Sequence, residues 1–158
     1  MILDDLSLQF WLSPAVLGVV GLLVGSFLNV VIHRLPLMME RQWWGDVAAQ
    51  LGDAESHRRV FGRGPAPEIA SQSESLLKAV EALPPLGLAR PASRCPQSGH
   101  RIRRYENVPL VSWIVLRGRC SACGASIGWR YPLVELLTGA LFALIAWRLG
   151  PTASTMLW

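Results

Sequence analysis

The sequence Cys120-Ser-Ala-Cys123-Gly sets two thiols at a knuckle spacing: both sulfurs can face one ion, and the glycine after them eases the tight turn. Upstream, Cys95-Pro-Gln-Ser98-Gly has the same shape with serine where a fourth thiol would stand. Serine ionises far less readily than cysteine, so Ser98 is a poor zinc ligand. The neutral imidazole of His100 is the better local substitute. The candidate metal set is therefore Cys95, Cys120, Cys123 and His100, and three readings stay open for it: structural zinc, no metal, or zinc with an open position for catalysis. The last needs a general base for activated water, and none stands in the neighbouring sequence. A Cys120–Cys123 disulfide suits the reducing cytoplasm poorly, and a redox dithiol would open a helix in a βαβ setting that is not offered here.

A second constellation is polar and lies in apolar sequence. Asn29 precedes His33 by four residues and Glu135 follows Tyr131 by four. At 1.5 Å of rise per residue, both then sit roughly 6 Å inside the ends of their helices, at similar depth. An ionisable residue within a membrane span is a functional candidate by default, and the partners expected for Glu135 are Asn29, His33 or Arg34. The competing reading has Glu135 reach the headgroup region and help cap its helix. Gly21 and Gly25 make a GxxxG spacing that permits close approach of another helix. Trp43, Trp44, Trp129 and Tyr131 are of the types that rest at a membrane interface or simply pack.

The elements that must position these residues follow from hydropathy. Hydrophobic residues make up 51% of the 158 and charged residues only 16%, which points to a membrane protein before a soluble domain. From Trp11 to Ile32 the chain carries no charge, the length a helix needs to cross the hydrocarbon layer. A cleaved signal peptide expects basic residues before such a run, whereas Asp4 and Asp5 precede it and His33 and Arg34 follow. Tyr131–Trp147 is a second, shorter span. Of the 15 Lys and Arg residues, 14 lie between Arg34 and Arg130, which puts that stretch in the cytoplasm and both termini outside. The isoelectric point near 9.5 then reflects a basic segment beside anionic lipid, with no nucleic acid required.

The expected fold is a mainly α-helical integral membrane protein in which two transmembrane helices flank a cytoplasmic cysteine-bearing, zinc-knuckle-like insert. The expected divisions are a periplasmic start (1–10), a first helix (11–32), a variable basic segment (33–92), a Cys-bearing subdomain (93–130), a second helix (131–147) and a periplasmic tail (148–158). Residues 37–72 mix Gly, Pro, Ser and both charge signs, so irregular structure with short helical pieces is expected there. A helix is expected after Ser73 as its N-cap, stopped by Pro84-Pro85. Val108–Leu116 reads either as a short helix capped by Asn107 and ended near Gly118, or as a buried strand.

Three stretches together resemble the prepilin peptidase family, the type IV leader peptidases. GSFLNVVIHRLP, with Gly25, Ser26, Phe27, Asn29, Arg34 and Pro36, looks like the family signature at the exit of its first helix. Ser93–Gly124 resembles the cysteine-bearing cytoplasmic segment, and RYPLVELLTG, Arg130–Gly139, the start of the second helix. The resemblance implies a multi-pass bacterial inner-membrane enzyme that removes the leader of type IV prepilins or type II secretion pseudopilins, and methylates the new N-terminus with S-adenosylmethionine. It also implies that cleavage uses two aspartates, one within Gly-x-Gly-Asp. The aspartates here, Asp4, Asp5, Asp46 and Asp53, have no such context, so no catalytic residue is assigned and the chain reads as an N-terminal part that does not cleave alone. Cys95, Cys120 and Cys123 match three of the family's four cysteines. Expected partners are membrane lipid, a prepilin or pseudopilin, and a C-terminal half. The alternative is a non-catalytic membrane module that binds prepilin or a partner half-enzyme.

Overall fold

The computed structural model describes residues 9–150, so Asp4, Asp5, the first eight residues and 151–158 of the expected tail lie outside it. Helix α1 runs Pro14–Gly52, α2 Ala54–Phe61, α3 Pro67–Glu81, α4 Val111–Val115 and α5 Arg130–Leu149, with a 3₁₀ turn at Arg104–Asn107. Among the described residues there is no strand, only two isolated antiparallel bridges, Arg94 with Arg101 and Arg119 with Ser126. Among the same residues two helices are long and apolar enough to cross a membrane, α1 and α5. They are consistent with an integral membrane protein. The chain divides into two compact units: one takes in the residues up to Val31 and those from Ala92 onward, the other Ile32–Pro91.

In the first unit, α1 starts where sequence chemistry allows it. Ser13 accepts the Val16 N–H at its hydroxyl and the Leu17 N–H at its carbonyl, and Pro14 takes the first position, where no N–H is needed. The start of α1 then packs antiparallel on α5 along a seam of small residues. A Cβ on Gly21 would stand 2.8 Å from Phe142 Cβ, and one on Gly25 would stand 2.6 Å from Glu135 Cα. From the other side, a Cβ on Gly139 would strike Leu22 at 2.7 Å. For two helices that lie in lipid no hydrophobic force would drive association, and this close backbone approach is what dispersion and polar contacts would have to work with.

The second unit corrects the expectation for residues 37–72. α1 does not end with its apolar run but continues to Gly52, and α2 and α3 follow at short intervals. The reason is local propensity: MMERQWWGDVAAQ is rich in Met, Glu, Arg, Gln and Ala, all good helix formers, and mixed charge does not oppose a helix. Pro36 removes one N–H from the ladder, yet the helix passes through it. Asp53 caps α2 by accepting the Glu55 and Ser56 N–H groups, and Gly62 ends it with φ 72°.

Ser73 does not cap α3. The helix begins at Pro67, a proline at the first helical position, and Ser73 is buried in its middle with its hydroxyl donating to the Ala70 carbonyl at 2.8 Å. A Cβ on Gly52 would lie 2.7 Å from Ser73 Oγ, so the end of α1 closes tightly on α3. The stop before Pro84-Pro85 is as expected, α3 ending at Glu81.

Candidate metal centre

Two loops of the first unit have the same backbone plan. In one, Cys95 N–H donates to the His100 carbonyl and Gly99 N–H to the Cys95 carbonyl; in the other, Cys120 N–H donates to the Ala125 carbonyl and Gly124 N–H to the Cys120 carbonyl. Gly99 and Gly124 have φ of 69° and 70°, a left-handed conformation that glycine adopts without steric cost. The two β-bridges close the loops at equivalent places. Ser98 thus stands in one loop where Cys123 stands in the other.

The sulfurs of Cys95, Cys120 and Cys123 lie within 4.8 Å of one another, with Cys95 Sγ 3.7 Å from Cys123 Sγ. Two thiolates at about 2.3 Å from a tetrahedral zinc would be about 3.8 Å apart, so the donor set has both the chemistry and the spacing for that ion. Cys95 is buried, Cys120 half-buried and Cys123 exposed. The Ser98 hydroxyl, then the Ser98 and Gln97 N–H groups, are directed at the Cys95 sulfur and bring its thiol down from 9.0 to about 6, which favours the thiolate that a metal needs.

His100 lies beside this cluster with its Nε2 elsewhere, 3.4 Å from Ser121 Oγ and 3.4 Å from Glu106 Oε2. Ser121 donates to Glu106 Oε1 at 2.6 Å, and Glu106 Oε2 also accepts the Arg103 N–H at 2.8 Å. The Arg103 N–H first, then the Ser121 hydroxyl and His100, hold the Glu106 carboxyl below its ordinary range. A serine, a histidine and a glutamate in contact suggest a nucleophilic triad, but the geometry does not make one. Both oxygen partners address the same ring nitrogen, whereas a triad needs the acid on Nδ1 and the serine on Nε2. What the network can do is brace one knuckle against the other. Glu106 and Ser121 were not singled out in the sequence, since neither spacing nor residue type marks them.

Between the two knuckles the chain makes an unusual turn. Val108–Leu116 forms a helix in its second half only, Val111–Val115, and the strand reading is not realised. Asn107 closes the 3₁₀ turn instead of capping α4, and Leu110 precedes α4 with φ 57° and ψ −47°. The Val111 N–H reaches back to the Pro109 carbonyl at 2.6 Å, a γ-turn centred on Leu110. That turn aims the Leu110 N–H at Glu135 Oε2, 2.8 Å away, on buried Glu135 of α5. Buried Asn29 donates its Nδ2 to the Tyr131 carbonyl at 3.0 Å. Asn29 and Glu135 thus share one seam while each takes a backbone group as partner.

The other residues singled out in the first helix divide by unit. Gly25 makes the close approach to α5, Ser26 is half-buried and Phe27 is exposed. Within the second unit, Arg34 gathers the carbonyls of Gly87 at 2.8 Å, Leu88 at 3.3 Å and Pro91 at 2.7 Å. Its five fixed donors suit a turn whose carbonyls converge.

Comparison with known proteins places this arrangement. A family model described as the bacterial peptidase A24 N-terminal domain matches residues 19–149, which include the seam, both knuckles and α5. A prepilin leader peptidase/N-methyltransferase of Stutzerimonas stutzeri is 48% identical over 132 residues, 84% of this chain and 37% of the relative. Its namesake in Pseudomonas aeruginosa is 46% identical over the same shares, and that of Dichelobacter nodosus is 44% identical over 94% of this chain and 44% of the relative. The chain therefore spans 37–44% of the length of these curated relatives. No solved structure matches it. With the matched region covering most of its length, the chain belongs to the bacterial peptidase A24 N-terminal domain family.

Proposed function

We propose that this chain is the N-terminal module of a bacterial prepilin leader peptidase/N-methyltransferase: a membrane anchor carrying a metal-stabilised cytoplasmic knuckle that helps present type IV prepilins or type II secretion pseudopilins for processing. The observation that carries this reading is the match over residues 19–149 together with the names of the relatives. In this reading α1 and α5 cross the inner membrane, and the basic segment between them faces the cytoplasm, in line with the concentration of Lys and Arg there. S-adenosylmethionine enters the proposal as the methyl donor that the family resemblance implies, the relatives' names giving N-methyl transfer and no donor.

Zinc is the metal that the three thiols fit, with Cys95, Cys120 and Cys123 as ligands and Ser98 beside the fourth position. It would supply structural cross-linking of the two knuckles. His100, as placed, serves the brace with Ser121 and Glu106, and would become the fourth ligand only by turning its ring away from them.

Peptide cleavage by this stretch alone is not expected. An aspartate dyad needs two acids close enough to share a proton, and of the described aspartates Asp53 is committed to capping α2. The test uses purified chain in detergent, a prepilin substrate, and the C-terminal portion of the Stutzerimonas stutzeri relative added separately. The chain alone should leave the leader intact, and the mixture should remove it. Specific leader removal by the chain alone overturns the assignment as a non-cleaving module, and failure of every mixture that contains two folded partners overturns the half-enzyme reading.

A further inference from the structure

The stretch from Ala92 to Arg130 holds seven arginines, no lysine, and Glu106 as its one acid. Arg101, Arg103 and Arg104 converge with Ser93 and Asn107 on an open recess of about 440 Å³. Arg103 is already occupied in part: its Nη1 donates to the Tyr105 hydroxyl at 2.6 Å and its guanidinium lies 5.8 Å from that ring's centroid. Arg101 and Arg104 are exposed. Planar guanidinium forks in this number suit the oxygens of a phosphodiester better than a lone carboxylate.

The recess also has a defined depth. Asn107 lines it, and three residues on, the Leu110 N–H is bonded to Glu135, in the second turn of α5. If α5 crosses the bilayer, the recess lies within about 10 Å of the mouth of that span, at the level of lipid headgroups. α4, next to it, shows Val111, Ile114 and Val115 at 56%, 66% and 73% exposure, an apolar ridge that water solvates poorly. A ridge that enters the acyl boundary beside a cluster of cations is the pattern of a surface that rests on anionic lipid.

We propose that the recess formed by Arg101, Arg103 and Arg104 binds the phosphodiester headgroup of an anionic phospholipid, with Val111, Ile114 and Val115 dipping into the same leaflet. The proposal rests on the reading of α5 as a membrane span. It does not depend on prepilin processing.

The test is a titration of the full chain in neutral detergent with short-chain phosphatidylglycerol, phosphatidylcholine or inorganic phosphate, followed by native mass spectrometry and phosphorus NMR. Phosphatidylglycerol should bind well ahead of the other two. R101Q/R104Q should weaken that binding about tenfold or more, because each substitution removes one cation from beside the headgroup. The equally charged control R58Q/R59Q, on α2, should leave it unchanged, and R101K/R104K should restore it in part, returning the charge without the guanidinium fork, which separates charge from misfolding. Equal binding of phosphatidylcholine, equal weakening in the control pair, or displacement by a phosphodiester oligonucleotide as effective as the lipid would each overturn the proposal. Failure of α5 to insert in vesicles would overturn it too, by removing its premise, and is read independently of lipid binding.

Discussion

Ser98 controls the chemistry of Cys95 although it is itself a weak donor. Its hydroxyl stabilises the thiolate through one hydrogen bond, and its N–H adds another. In metal-free chain, absorbance at the thiolate band should therefore rise with an inflection near pH 6 that disappears in Cys95→Ser. Ser98→Ala should move that inflection up toward 9.0, because the first cause of the shift is removed while the backbone donors stay. If zinc is bound, about one equivalent should be lost in Cys120→Ser. An inflection near 6 that is indifferent to Ser98 would refute the hydroxyl's role.

Glu106 works at the same scale through a different linkage. Its folded-state pKa is depressed, so the stability it contributes is present above the ordinary carboxylate value of 4.5 and is lost as pH falls through the lower folded value. Thermal unfolding should thus show a wild-type advantage over Glu106→Gln at neutral pH that shrinks below pH 4.5. As a group that orients the knuckles without touching sulfur, Glu106→Ala should also weaken zinc binding about 10- to 100-fold, the range for partners behind a metal's own ligands. A His100→Ala loss much larger than that would make the imidazole a ligand, not a brace.

Among the elements, the α1–α5 seam sets the tolerance for substitution. A Cβ at Gly18 would be an ordinary 3.4 Å from Ala143 Cβ, whereas at Gly25 it would be 2.6 Å from the backbone of Glu135, which cannot swing aside. Gly18→Ala should therefore be near neutral, while Gly25→Ala should cost about 1–3 kcal/mol through overpacking, measured by unfolding in detergent. The same displacement should disturb the Leu110 turn, since Glu135 holds it from the same stretch of α5. Leu110→Gly should relieve left-handed strain and leave the Glu135 bond in place, so it should match or exceed the wild type in stability. A seam that accepts Gly25→Ala without change would show that the helices do not pack as closely as this.

Over the whole molecule, 14 of the 15 Lys and Arg residues lie in one segment. With the Lys and Arg residues gathered between Arg34 and Arg130, protease added to inverted inner-membrane vesicles should cut between α2 and α3, at the Gly62–Pro67 loop. Right-side-out vesicles should protect that loop. Cleavage in the opposite orientation would reverse the proposed topology.

Much of this was legible in residues alone. The uncharged run of α1 and the apolar run of α5 announce their helices because hydropathy is a sum over neighbours and needs no partner. The paired knuckles were legible too, since a fixed spacing and a glycine specify a local turn. Where the sequence misled, one deciding term was local propensity set against hydropathy and the other was packing. α1 ran on past Ile32 because helix propensity outlasted hydrophobicity, and Ser73 looked like a cap although Pro67 and the packing of Gly52 put it inside a helix. Only tertiary structure could pair Glu135 with the Leu110 N–H, a partner outside the expected Asn29, His33 and Arg34, bring Glu106 and Ser121 to His100, and set Cys95 within 3.7 Å of Cys123. Most of those contacts join residues far apart in the chain, and a single sequence records their chemistry but not their meeting.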